Sequence, residues 1–377
     1  MPIVEILKSR SLRMVGVLLL LWLGLALHPD TRDAFLTAEN LSNLTAQNAE
    51  IVIIGVGMTL VILIGGIDLS VGAGIALTGV VVAKLQLEHH APAWAACLAA
   101  LGVAGVVGLW HGLLVTRGGM PPFVATLGGF LAYRGIALVL SNARGLSPMA
   151  PDYQLVGGRL PTGRSIEICV TAGVIGIAMV LARLKRRRTL GLPTEPIAAT
   201  ALTLFAIAAV TTFASVIYQD GMPVPVLIAA VCVAIGAVLL RRTLLGRYAF
   251  AIGGNAEAAR LSGVPVMSTT ILIYVITGLC VALAGIVDVA RTNGVTPGSA
   301  GLMRELQVIT AVVIGGTSLS GGRATMIGTV VGALIFGTLS NGMNLMNVNS
   351  NWQLIFTGGI LVAASLVDSM TNKKRTS

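Results

Sequence analysis

LIGGIDLSVG, residues 63–72, sets a single carboxylate, Asp68, among glycines inside otherwise uncharged apolar sequence. The pattern returns 250 positions later as VIGGTSLSGG, residues 313–322. Gly65, Gly66, Leu69, Ser70 and Gly72 recur there as Gly315, Gly316, Leu319, Ser320 and Gly322, and Val80 and Val81 recur as Val330 and Val331. The spacing points to an internal repeat. In each copy the Gly-Gly pair interrupts a membrane-length apolar run, where glycine tolerates a sharp turn or a close helix contact. A helix is expected to restart just after it, with Asp68 in one copy and Ser318 in the other as N-cap candidates. A carboxylate in mid-membrane costs roughly 2.5–3.5 kcal/mol on insertion scales and needs a partner. Two roles for Asp68 stay open: capping a helix N-terminus, or touching a transported solute or proton.

Composition sets the class. With 55% hydrophobic and 11% charged residues and a mean hydropathy of +0.89, the chain reads as an all-α, polytopic integral membrane protein. No large soluble domain fits, so residues 1–377 form a single transmembrane domain. The net charge of +10 does not indicate nucleic acid, because the basic residues are interspersed with apolar runs. Cys97, Cys169, Cys232 and Cys280 lie in apolar segments without metal-ligand spacing and read as small buried hydrophobes.

Along the chain, a basic leader (1–13) precedes an apolar run (14–27) that is expected to be an uncleaved first span rather than a signal peptide, since no small-x-small cleavage site follows it. Residues 28–47 read as a polar loop. The chain then enters the membrane over 48–65, turns at the motif and leaves as a helix ending near Lys84. Further spans are expected at 93–115, 122–140, 166–182, 196–217, 224–240, 268–290, 305–316, 325–345 and 352–367, about twelve membrane segments in all. The run at 305–316 is too short for an ordinary span and is expected to be extended or re-entrant. The first repeat covers about 14–140, an inserted helix pair about 166–217, and the second repeat about 268–368.

Alternating these spans gathers Lys8, Arg10, Arg13, the run Arg183–Arg188, Arg241, Arg242, Arg247, Arg260, Arg323, Lys373, Lys374 and Arg375 on one side. Positive-inside bias makes that side, with both termini, cytoplasmic. The opposite loops hold a mixed set, Asp30, Arg32, Asp33, Arg144, Asp152, Arg159, Arg164, Asp220, Arg291, Arg304 and Glu305, suited to docking by another protein or to plain solvation. Both motif copies share one orientation, so the repeat is parallel.

The loop at about 241–265 carries a complete short-helix signature in LGRYAFAIGGNAEAARLSGVP, residues 245–265. Asn255 is an N-cap, Ala256–Ser262 form about two turns, Gly263 takes a left-handed C-cap and Pro265 stops the helix. Glu257 and Arg260 pair at i,i+3, while Ala258 and Leu261 offer a low apolar patch. So short a helix is marginal alone and needs tertiary or partner contacts.

GGIDLSVG, PPFVATLGGFLAYRG (121–135) and AIGGNAEAARLSGV (251–264) together resemble the permease subunit of bacterial ABC importers for ribose, xylose, arabinose, galactosides and related monosaccharides, over about residues 40–368. The inserted helix pair, with its RLKRRR connection and GLPTEP, is similar to the xylose-type permeases. The resemblance implies that Asn255, Glu257, Ala258, Ala259, Arg260, Leu261 and Gly263 form a coupling helix that docks into a separate cytoplasmic ATPase. It also implies that Gly65, Gly66, Asp68, Ser70 and Gly72, with Gly315, Gly316, Ser318, Ser320 and Gly322, form broken-helix motifs of the pathway.

Further implications are a periplasmic sugar-binding protein, a permease homodimer in the lipid of the inner membrane, and import of a monosaccharide, D-xylose first, by alternating access. No nucleic acid, metal, cofactor or catalytic residue is expected in the chain, and ATP and magnesium belong to the partner. None of the five lysines follows a glycine, so there is no phosphate loop. Two alternatives remain: another cargo such as ribose, another sugar, a nucleoside, a branched-chain amino acid or a signalling lactone, or a proton-coupled transporter using Asp68 and Asp288.

Overall fold

Sixteen helices and no strand make up the described residues, 10–191 and 197–376, of the computed structural model. Lys8 and residues 192–196 of GLPTEP lie outside the described residues. In chain order the helices open with α1 (Arg10–Leu27), α2 (Arg32–Phe35), α3 (Ala38–Leu63), α4 (Val71–Leu87), α5 (Ala93–Thr116) and α6 (Pro122–Leu140). They continue with α7 (Pro151–Gly157), α8 (Thr162–Thr189), α9 (Ile197–Ile217), α10 (Val224–Arg242), α11 (Leu244–Gly254) and α12 (Ala256–Leu261). Last come α13 (Val266–Thr292), α14 (Arg304–Ile314), α15 (Met326–Leu345) and α16 (Ser350–Thr376). Among the described residues seven helices, α3, α5, α6, α8, α10, α13 and α15, are long and apolar enough to cross a membrane, and α1, α4 and α9 carry shorter apolar stretches.

The bundle is built around α3, whose most apolar stretch is 89% buried, against 17% for α8 at the periphery. Helices α10, α13, α14 and α15 all pack on α3. Close approach explains the tightest of the other contacts, between α5 and α13. Ala104, Gly108 and Gly112 fall four residues apart on α5, and a Cβ at Gly108 or Gly112 would run into the α13 backbone at Tyr274–Val275 or Ile271. Such small-residue faces let helices meet backbone to backbone where no hydrophobic effect drives association.

Two boundaries differ from the sequence expectation, and one run is as short as expected. Residues 28–47, expected as a polar loop, hold α2 and the first turns of α3. Thr37 caps α3 by accepting from the Asn40 N–H, and Asn40 and Asn341 exchange two side-chain amide bonds of 2.9 and 3.1 Å, so the polarity of this segment is used between helices rather than in water. The basic run Arg183–Arg188, expected between spans, belongs to the C-terminal turns of α8, where cations suit the helix dipole. The short run near 305–316 is α14, with 11 residues or about 16 Å of rise, half of the ~30 Å hydrocarbon thickness.

Candidate functional site

The first motif is a tight break between α3 and α4. Gly65 takes φ +82°, a conformation that L side chains avoid, and Gly66 lies against the Tyr274 hydroxyl. The N-cap of α4 is Ser70, not Asp68. Asp68 Oδ1 instead accepts from the Ser70 N–H at 2.8 Å and the Ser70 hydroxyl at 2.7 Å, a turn held two residues ahead of the helix. Thr126, in α6, clasps the same loop: its Oγ1 accepts from the Leu69 N–H at 3.2 Å and lies 3.1 Å from the Ile67 carbonyl. The expectation that Asp68 is the cap is corrected by one loop bond, because helix geometry begins only at Val71.

In the second copy Ser318 is likewise not the cap. Helix α15 starts five residues later than the repeat predicts, with Thr325 as N-cap accepting from the Gly328 N–H at 2.9 Å. Positive φ at Gly316, Gly321 and Gly322 lets the chain make an extra turn instead of restarting. Within that turn Ser318 is fully buried and its hydroxyl lies 2.9 Å from that of Ser320, while its N–H donates to the Arg323 carbonyl. Gly315 packs against Gly328 of α15, with no room for a side chain at either residue.

The two copies meet. The Gly322 N–H donates to the Leu63 carbonyl at the end of α3, at 2.9 Å. Gly253, at the end of α11, lies over this bond so closely that a Cβ would overlap both groups. Gly72, at the start of α4, is covered by Gly301 and the Glu305 side chain at the head of α14. Both broken-helix loops therefore lie one residue-contact away from the α11–α12 connection or from α14.

The short helix is where the sequence placed it. Asn255 caps α12, its Oδ1 accepting from the Ala258 N–H at 2.9 Å, and Gly263 has φ +81°. Arg260 grips Glu257 with two bonds, 2.7 and 3.0 Å, which hold the Glu257 carboxyl below the ordinary carboxylate range. Ala259 is the buried anchor, while Ala258 and Leu261 face outward, Leu261 with 74% of its surface exposed. A cavity of about 630 Å³ joins this helix to the first motif, with Ala256, Arg260, Gly66 and Tyr274 in its wall.

Beyond Tyr274 a second cavity of only about 20 Å³ is lined by Asp68, Ser70 and His111, room for one water rather than for a metabolite. His111 is buried and pairs with the Tyr133 hydroxyl at 3.0 Å. At the opposite end of the bundle from α12, Glu50 is fully buried in α3 between two guanidiniums, Arg291 at 3.1 Å and Arg304 at 3.1 Å, and Asp288 lies 3.4 Å from Arg291. Sequence reading missed Glu50, Thr126 and His111. Glu50 did carry a signal, as the single ionisable residue between Glu39 and Asp68, which an intramembrane-charge rule would have selected. Asp288, considered above as a coupling carboxylate, is part of this ion cluster.

Comparison with known proteins gives a consistent set of relatives. The family of branched-chain amino acid transport system permease components matches over residues 40–365. The chain is similar to the xylose transport system permease protein of Haemophilus influenzae, 36% identical over 98% of this chain and 99% of the relative. It is equally similar to the ribose import permease protein of Escherichia coli, 36% identical over 98% and 95%. The D-allose transport system permease protein of the same organism is 34% identical over 90% and 86%. No solved structure matches the chain at a significant level.

Proposed function

Because the chain belongs to the family of branched-chain amino acid transport system permease components, we propose that it is the membrane-spanning subunit of an ATP-driven importer of a monosaccharide, D-xylose first. The observation that carries this reading is the end-to-end similarity to sugar permeases. Xylose is favoured by the inserted pair α8–α9 that the xylose-type permeases share in the sequence resemblance. Ribose is the second reading, since the ribose permease is as similar in identity.

In this reading the subunit crosses the bacterial inner membrane about twelve times, with two parallel repeats, both termini and α12 in the cytoplasm, and a second copy beside it. A periplasmic binding protein delivers the sugar, and a separate ATPase chain binds ATP and magnesium. Helix α12 is the coupling helix. Its Leu261 and Ala258 face outward to dock in the ATPase, while the buried Ala259 ties it to the bundle and the Asn255 cap closes its first turn. Closure of the ATPase pair pushes α12, and the push reaches both broken-helix loops through Gly253, which touches Leu63 and Gly322. The 630 Å³ cavity between α12 and Gly66 is the cytoplasmic exit. A proton-coupled mechanism would leave α12 without a role.

The test is docking. Glu257→Arg and Ala258→Trp should each leave the permease folded in the membrane yet prevent its co-purification with the ATPase. Normal complex formation by both variants would overturn the coupling assignment.

A further inference from the structure

The buried ion cluster forms the back wall of a polar cleft at the end of the bundle opposite α12. Two cavities of about 460 and 200 Å³ share Arg304 and Gln307 as a common wall, a size suited to a small metabolite. The smaller is lined also by Asn48, Ser340, Gln353 and Phe336. Behind them Glu50, with no exposed side-chain surface, is held by Arg291 and Arg304, and Arg304 Nη1 also donates to Gln307 Oε1 at 2.8 Å.

Charge decides what such a cleft accepts. Arg291 and Arg304 are balanced by Glu50 and Asp288, so the wall has no surplus charge to attract an anion or a cation. What it is lined by is amide-bearing residues, a serine, one aromatic residue, and guanidinium N–H groups in excess of those its ion pairs use. That is the chemistry of a neutral polyol, whose hydroxyls need donors and acceptors together and whose C–H face rests on a ring.

We propose that this cleft is the cargo-entry subsite of the permease and binds a neutral polyol, with Glu50 as the positioning residue that fixes both guanidiniums. The inference rests on the sugar-importer reading and names its outer subsite. Helix α14 carries Arg304 and Gln307 into the cleft, and its first turn, at Glu305, lies on Gly72 of the first broken-helix motif. Sugar seated against Arg304 thus presses on the same loop that Gly253 reaches from the other end.

The experiment uses the assembled importer in right-side-out vesicles with its binding protein and ATPase, and xylose, ribose and allose as probes. With the half-buried Cys97 replaced by serine, Gln307→Cys and Ser340→Cys should react with a membrane-impermeant maleimide, against low background from the buried Cys169, Cys232 and Cys280. A transported sugar at ten times its half-protecting concentration should slow the reaction about tenfold. Gln307→Ala should raise the half-saturating sugar concentration about tenfold, one hydrogen bond's worth, with the saturated rate unchanged.

Glu50→Gln gives the cleft one surplus positive charge. In the Glu50→Gln, Gln307→Cys double variant sulfate should slow labelling, as it does not in Gln307→Cys alone, a readout that a purely structural role for Glu50 would not move. A transported sugar that protects neither cysteine, with half-saturation unaltered in Gln307→Ala, would overturn the inference and leave the importer reading intact. Uptake of none of the three sugars by the wild type would overturn the sugar reading and this inference together.

Discussion

Asp68 puts one oxygen on both the N–H and the hydroxyl of Ser70, and the space beside it holds about 20 Å³. Both facts favour a loop-holding role over contact with cargo. Asp68→Asn keeps an oxygen acceptor for the Ser70 N–H and is expected to fold and to transport at a rate near wild type, measured as sugar uptake in vesicles. Thr126→Val removes the clasp on residues 67–69 and should lower stability by about 1–2 kcal/mol, read as an earlier thermal unfolding in detergent that Thr126→Ser restores. The Glu257 carboxyl, held low by Arg260, contributes above its unfolded value and loses that contribution only as pH falls through the depressed folded value. Attachment of the ATPase should therefore not change between about pH 5.5 and 8 through this group, and a loss through Glu257 belongs below the ordinary carboxylate range. At this scale the sequence named Asp68 from its isolation among apolar residues. It misassigned the bond, because a side chain that accepts two residues ahead looks the same in sequence as one that caps.

Helix α12 was legible down to its cap, since Asn255, Gly263 and Pro265 are local signals whose meaning does not depend on the rest of the chain. The start of α3 was not legible, because Asn40 and Asn43 read as loop residues until Asn341 of α15 and Arg159, in the α7–α8 connection, supply their partners from far along the chain. The second broken motif failed for a similar reason: glycines at 321 and 322 permit a turn that the first copy, with Val71 at the matching position, cannot make. The contact among Leu63, Gly322 and Gly253 had no sequence signal at all. It can be tested element against element. Gly253→Ala places a methyl group on backbone atoms and should cost about 1–3 kcal/mol, while uncoupling ATP hydrolysis from sugar uptake. Gly254→Ala, whose Cβ would meet nothing within 4 Å, should leave both unchanged.

Across the whole molecule, α3 is buried, α8 is peripheral, and cavities open near the two ends, a mainly apolar one beside α12 and a polar one around Arg304. A closed seam of α3 and α13 lies between them, where a Cβ at Gly57 would strike the Thr277 backbone. Composition made the helical membrane class legible, because hydropathy needs no tertiary information. The two-ended arrangement was not, because it depends on which helices pack together. An importer driven through α12 needs a partner that hydrolyses ATP, and the most direct measurement is sugar uptake by the purified complex in proteoliposomes with ATP sealed on the α12 side. The expected result is uptake that requires ATP and the binding protein, ignores a protonophore and disappears with Glu257→Arg. Uptake that proceeds without ATP and collapses with the protonophore would contradict it.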